Sequence, residues 1–250
     1  MRANIKQLLP HLYLIDDAGE STCYVLCGKE KALIIDSANG QENLKAIVRT
    51  LTDLPLMVVN THGHVDHVCG NAYFDEAYVH EDDMALCLEH MAYNNEEYEK
   101  QCVVPPPMKT IAVGDVIHLG GIDVEVVSLK GHTAGSIGLI DIQDRILFSG
   151  DGANGHLWMQ LDHSLPISVL YDTLVAFKRD HDDRFDHVLA GHGKDFEPKT
   201  RIDQNIRGCE ELLAGKTEND QPYHYFGGEC LQHPTSSVPG ECIVYRADNL

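Results

Sequence analysis

Six residues, His62-Gly63-His64-Val65-Asp66-His67, constrain this chain more than any other stretch. Three imidazoles and a carboxylate crowd together directly after LMVVNT (56–61), an apolar run that reads as a buried strand. Neutral imidazole and carboxylate are what a divalent ion of borderline softness takes in a roughly tetrahedral set. In an extended turn His62 and His64 leave the same side of the backbone and can grip one ion. Asp66 and His67 fall beyond the bend and can face a second. Gly63 is expected to let the backbone turn tightly.

Three later segments also place a ligand type at the end of a β-rich run. Gly131-His132-Thr133-Ala134-Gly135-Ser136 follows IDVEVVSL (122–129), Ser149-Gly150-Asp151-Gly152 closes RILFSG (145–150), and Gly191-His192-Gly193 follows HVLA (187–190). Each alone reads equally well as a hydrogen-bonded loop histidine or a turn aspartate. Further short β-rich runs at 12–16, 22–27, 31–36 and 137–142 alternate with helical spacing at 41–52, 165–181 and 199–214. Strands in both halves with helices between predict a two-sheet α/β arrangement, with chemistry on loops at the strand ends.

Composition removes several classes of function. With 43% hydrophobic and 23% charged residues, the chain has an ordinary globular balance, which excludes wholesale disorder. Its 19 basic and 39 acidic residues give a net charge of −20. No excess of cations is left to neutralise a phosphate backbone or an anionic membrane, so neither nucleic acid nor membrane is expected as a partner. No apolar run approaches the roughly 18 residues of a membrane span, and the first residues do not read as a signal peptide. The eight cysteines form no C-x-x-C pair; reduced thiols and a cytoplasmic location are the simpler expectation. No linker or repeat interrupts residues 1–250, which read as one domain. Within it, 81–110 reads as a helical insertion that could act as a lid, and 215–250 as an irregular C-terminal segment.

The motifs H-x-H-x-D-H, GHT…GS, SGD and GHG, in this order, resemble the metal-ligand series of the metallo-β-lactamase superfamily. The resemblance implies an αββα sandwich of two mixed β-sheets flanked by helices. It implies that His62, His64 and His132 hold one metal, that Asp66, His67 and His192 hold a second, and that Asp151 bridges them. Leu33-Ile34-Ile35-Asp36 is similar to the family's strand whose final aspartate, Asp36 here, supports the metal loop from behind. Seven N/O ligands are too many for one tetrahedral ion but fit two divalent ions sharing a carboxylate, Zn2+ first and Fe or Mn also accommodated. Such a pair would ionise a water at neutral pH, with Asp66 accepting or orienting its proton. The implied activity is hydrolysis of a small-molecule ester, thioester or lactone, as in glyoxalase II-like and lactonase-like branches. A mononuclear-iron persulfide dioxygenase is the alternative, and a phosphodiester hydrolase a third. Ala134 replaces the family's proline without touching a ligand; Asp151, where true β-lactamases use cysteine, argues against antibiotic hydrolysis.

Around the expected site, His156, Trp158 and His163 are candidates for lining a substrate pocket, against the plainer reading of a surface loop with one anchored aromatic. Tyr171 could reach a substrate carbonyl or pack in the core. The aromatic run Tyr223-His224-Tyr225-Phe226 could fold over the site or pair with a second subunit in a homodimer.

Overall fold

The computed structural model describes residues 3–225 and 228–250; Phe226 lies outside them. A first sheet takes its seven strands in chain order: β1 (Asn4–Leu9), β2 (Leu12–Asp16), β3 (Thr22–Cys27), β4 (Ala32–Ile35), β5 (Leu56–Val59), β6 (Ala77–His80) and β7 (Met108–Ile111). Pairing is antiparallel from β1 to β4 and parallel from β4 to β7. The second sheet contains β8 (Val116–His118), β9 (Asp123–Ser128), β10 (Ile137–Asp141), β11 (Ile146–Gly150), β13 (His187–Ala190) and β14 (Glu197–Pro198). Among the described residues only β11 and β13 pair in parallel there. A third, smaller sheet joins β12 (His156–Trp158) to β15 (Gln221–Tyr223), β16 (Cys230–Pro234) and β17 (Cys242–Tyr245).

The near-continuous apolar runs reflect strands covered on both faces. Leu12, Leu26, Leu33 and Val59 of the first sheet meet Val124, Leu139, Phe148 and Leu189 of the second in one buried cluster. Side chains alternate along each strand, so Val126 enters this central layer while Val127 turns outward, as does Leu147 between Ile146 and Phe148. The outer face of the first sheet, with Val25, Ile34 and Val58, is covered by α1 (Leu44–Val48), Tyr73 and Phe74. Between β5 and β7 the chain forms α2 (Val65–Val68), α3 (Met84–Ala92) and α4 (Asn95–Gln101). The outer face of the second sheet is covered by α5 (Ile167–His181) and α6 (Thr200–Leu213) through Leu170, Leu174, Phe177 and Leu212. Helix, sheet, sheet, helix is the αββα order that the motif series implies.

Two elements differ from expectation. The helix read over 41–52 is only Leu44–Val48, because Asn43 caps it late, accepting from the Ala46 amide at 2.9 Å. The tail, read as irregular, instead supplies β15, β16 and β17. These strands are three to five residues long and divided by Gly and Pro, too short to display a period. Their anchoring is hydrophobic: Ile243 and Tyr245 are buried in the α5–α6 cluster. Among the described residues no helix is long and apolar enough to cross a membrane.

Candidate metal centre

The site begins where β4 and β5 end side by side. Asp36 follows β4 with φ +60, a left-handed backbone that a short acidic side chain tolerates better than most. Its carboxylate accepts from the Thr61 amide (2.7 Å), the Thr61 hydroxyl (2.8 Å) and His67 Nδ1 (2.9 Å). The carbonyl of His67 is held in turn by Asn60 Nδ2 at 2.8 Å and the Ser37 hydroxyl at 3.1 Å. The loop after β5 is therefore fixed at both ends before any ligand binds. His62 to His64 continue from the strand, and the one-turn helix α2 carries Asp66 and His67.

The opposite wall comes from the second sheet, with His132 after β9, Asp151 after β11 and His192 after β13. Donor atoms of His62, His64 and His132 lie within 4.8 Å of one another; the same holds for His62, His67 and Asp151, and for Asp66, His67 and His192. All seven expected ligands thus converge from four strand ends. Asp36 lies behind them, bonded to His67 and Thr61. Gly191 lets Asp151 approach: a Cβ there would sit 2.4 Å from Asp151 Oδ1. Gly63 has a different role from the tight turn expected of it. A Cβ on it would lie 2.9 Å from the Cys87 amide of α3, so its missing side chain admits that helix.

Hydrogen bonds set the ring orientations. His132 Nδ1 donates to the Trp158 carbonyl and His192 Nδ1 to the Glu20 carbonyl, both at 2.6 Å, while His67 Nδ1 donates to Asp36. In each neutral ring this turns an Nε2 lone pair inward. His64 Nδ1 meets His132 Nε2 at 2.8 Å, and His192 Nε2 meets Asp151 Oδ2 at 3.0 Å. Nε2 of His62, His64 and His67 and Oδ1 of Asp151 are buried with no hydrogen-bond partner. Native interiors rarely leave such atoms unsatisfied. A cation fits this donor set, because most of these orphaned atoms crowd the same ligand clusters.

The electrostatics divide the rings into two groups. Burial, then the neighbouring imidazoles, pushes His62 and His64 well below the usual histidine range, and burial lowers His132. Burial also opposes charge on His67, but Asp66, Asp36 and Asp151 together outweigh it and hold His67 well above. Partial burial opposes charge on Asp66, yet His67 and His192 bring it down to about 2. Asp151 likewise stays well below the carboxylate range, with His192 the strongest counterweight to burial. His192 beside Asp151 is held up to about 9. Uncharged rings and ionised carboxylates are the protonation states in which these groups ligate metal, so His62, His64, His132 and both carboxylates are held ready, whereas His67 and His192 would release a proton to a bound ion.

Over the donors opens a cavity of about 980 Å³, lined by His64, Asp66, His132, Asp151 and His192 and by His156, Trp158 and His163. Tyr171 is not among its walls. It points to the α5–α6 seam, where its hydroxyl donates to Glu210 at 3.1 Å, away from any carbonyl bound in the cavity, contrary to the substrate contact its sequence position suggested. Tyr225 of the aromatic tail also lines the cavity. Two residues of the 81–110 segment join the site without any motif to announce them. The buried Asp83 accepts from the Gly63 amide (2.8 Å), the Thr133 hydroxyl (2.6 Å) and the Gly135 amide (2.7 Å), tying the first ligand loop to the second. His90 donates from Nδ1 to the Gly63 carbonyl at 3.1 Å and packs near His64 and His163, with ring centroids 5.4 and 5.6 Å away. The sequence EDD at 81–83 resembles a solvated acidic run, which hides the buried member.

Fold and site together define a class, and sequence comparison agrees with it. The model of the metallo-beta-lactamase superfamily matches residues 16–196. The chain belongs to that superfamily. It is 30% identical over 254 residues to the acyl-coenzyme A thioesterase MBLAC2 of Gallus gallus, covering 89% of this chain and 79% of that protein. It is 27% identical over 190 residues to the hydroxyacylglutathione hydrolase GloC of Haemophilus influenzae, covering 70% and 87% respectively. A metallo-beta-lactamase from Pontibacter korlensis superposes with a TM-score of 0.65 at 16% identity, covering 83% of this chain and 99% of that one. At that identity the likeness is one of fold.

Proposed function

We propose that this chain is a metal-dependent hydrolase of small-molecule thioesters. The observation that carries the reading is the convergence of unsatisfied buried nitrogen and oxygen atoms, including His62 Nε2, His67 Nε2 and Asp151 Oδ1, on one cavity floor. His62, His64 and His132 would hold one zinc, Asp66, His67 and His192 another, with Asp151 between them. Bound there, divalent ions supply Lewis acidity toward a carbonyl oxygen and lower the pKa of water toward about 7. The protein's own part is orientation. Asp36 and the carbonyls of Trp158 and Glu20 fix three imidazoles, and Asp66, partly exposed at the cavity mouth, is placed to accept a proton at Oδ2. The MBLAC2 and GloC relatives are both named as hydrolases of thioesters, which selects this bond from the wider ester and lactone range.

The test pairs metal analysis of the native protein with a panel of thioesters, lactones and phosphodiesters. About two zinc ions per chain and turnover of thioesters are expected. His64→Ala and Asp151→Asn should each abolish it. One iron per chain with oxygen uptake on glutathione persulfide would replace this reading with the sulfur dioxygenase.

A further inference from the structure

The geometry points to a thioester whose thiol part is uncharged or cationic and whose acyl part is a flat apolar group, with phosphate-bearing thiols turned away; this rests on the thioester-hydrolase reading above. Two observations carry it. The first is charge. Among the described residues lining the cavity there is no lysine or arginine, while the carboxylates of Glu20, Asp162 and Glu197 stand around its mouth, apart from those of the centre, whose charge bound ions would offset. Two arginines next to lining residues are already engaged. Arg246 bonds Asp162 at 2.6 Å and Asp248 at 3.2 Å. Arg201, buried beneath Gly155, bonds Glu197 and Glu241 at 2.6 Å each. Lys194, largely exposed beside Gly19, lies 3.5 Å from Asp16 on the outer rim and is not among the lining residues. Recognition of phosphate calls for unshared guanidinium, ammonium or helix N-terminal donors, and an acidic cleft in a chain of net charge −20 repels a polyanion before contact.

The second observation is shape. The small third sheet exists only in the C-terminal part of the fold plus β12, and it builds an aromatic wall on one side of the cavity. Trp158 on β12 packs against Tyr225 with ring centroids 5.5 Å apart and against Tyr223 at 6.3 Å. His156 adds a further ring at 5.6 Å from Tyr223. Because the Trp158 carbonyl also holds His132, the wall is tied in register with the metal ligands. Faces of this kind seat planar acyl groups and attract cations. In the reaction, water oxygen adds to the acyl carbon, the C–S bond breaks, and the thiolate leaves and takes up a proton. The products are a carboxylate and a thiol, and the second proton of the water is released to solvent.

The experiment uses the metal-loaded full chain and one acyl group, benzoyl, on four thiols: pantetheine, thiocholine, phosphopantetheine and coenzyme A. The pantetheine pair differs by a phosphate alone. Expected is a kcat/KM at least about tenfold higher for pantetheine and thiocholine than for the phosphorylated thiols, and a fall for thiocholine with rising salt as screening sets in. Trp158→Ala should reduce the benzoyl-to-acetyl preference about tenfold. Asp162→Lys, which also releases Arg246, should raise kcat/KM for benzoyl-coenzyme A several-fold. Equal or faster turnover of the phosphorylated thioesters overturns this inference and leaves the hydrolase reading standing. Failure to hydrolyse any of the four overturns both.

Discussion

At the scale of single residues, the positions that matter most include two that touch no substrate. Asp36 gives His67 its ring orientation and simultaneously holds both polar groups of Thr61. Removing such a support behind a metal-bound histidine usually costs 10- to 100-fold in affinity or activity. Asp36→Ala is therefore expected to lower zinc affinity by about one to two orders of magnitude, read by competition with a chelating dye; affinity unchanged within a factor of two would contradict the role given to it. Asp83 is a stronger case for stability. Its carboxylate is the acceptor for three donors from two different ligand loops, all buried. Leaving those donors unsatisfied costs roughly 1–3 kcal/mol apiece before relaxation. Asp83→Ala should destabilise the fold by about 3–5 kcal/mol in urea titration, whereas a loss below 1 kcal/mol would mean that water replaces the carboxylate at no cost.

At the scale of elements, the third sheet is the part that depends on packing rather than on pattern. Ile243 is completely buried among Leu170, Ile202 and Leu212, so β17 is held by the cluster beneath it as much as by its ladder to β16. Ile243→Ala should cost about 2–5 kcal/mol, with the aromatic wall loosening at the same time; tryptophan fluorescence from Trp158 reports the second effect because it is the sole tryptophan. The same element shows what a sequence makes legible. β2, β3, β4, β5 and β9 to β11 are dense in β-branched and aliphatic residues because both faces are covered, and they stand out without any structure. The ligand loops are equally plain, since metal chemistry demands particular side chains at particular strand ends. β1, whose NIKQLL has no fully buried residue, and β7, adjoining the proline run, carry no such signature. Asp83 and His90 were hidden for a different reason. Their partners lie on loops 20 to 52 positions away, and no local spacing encodes a contact made by tertiary folding.

At the scale of the whole molecule, the proposed ligands divide between the sheets. His62, His64, Asp66 and His67 extend from the first, and His132, Asp151 and His192 from the second. Ions held between them would act as a staple across the interface that the central apolar layer already closes. They would also relieve local repulsion between Asp66 and Asp151 in a chain carrying 20 excess negative charges. A ligand that binds only the folded state stabilises it by mass action, about 2.7 kcal/mol at a hundredfold excess over its dissociation constant. For a chain of this size each kcal/mol corresponds to roughly 2–4 °C, so chelation of the loaded protein should lower Tm by about 5–10 °C and added zinc should restore it. His132→Ala gives the decisive comparison, because it removes a ligand contributed by the second sheet alone. Its Tm should lie near that of the chelated parent and respond little to zinc. If His132→Ala were stabilised by zinc as strongly as the parent, the ions would be held by the first loop alone, and the convergence of the two sheets on a shared centre would not be what the metal reads.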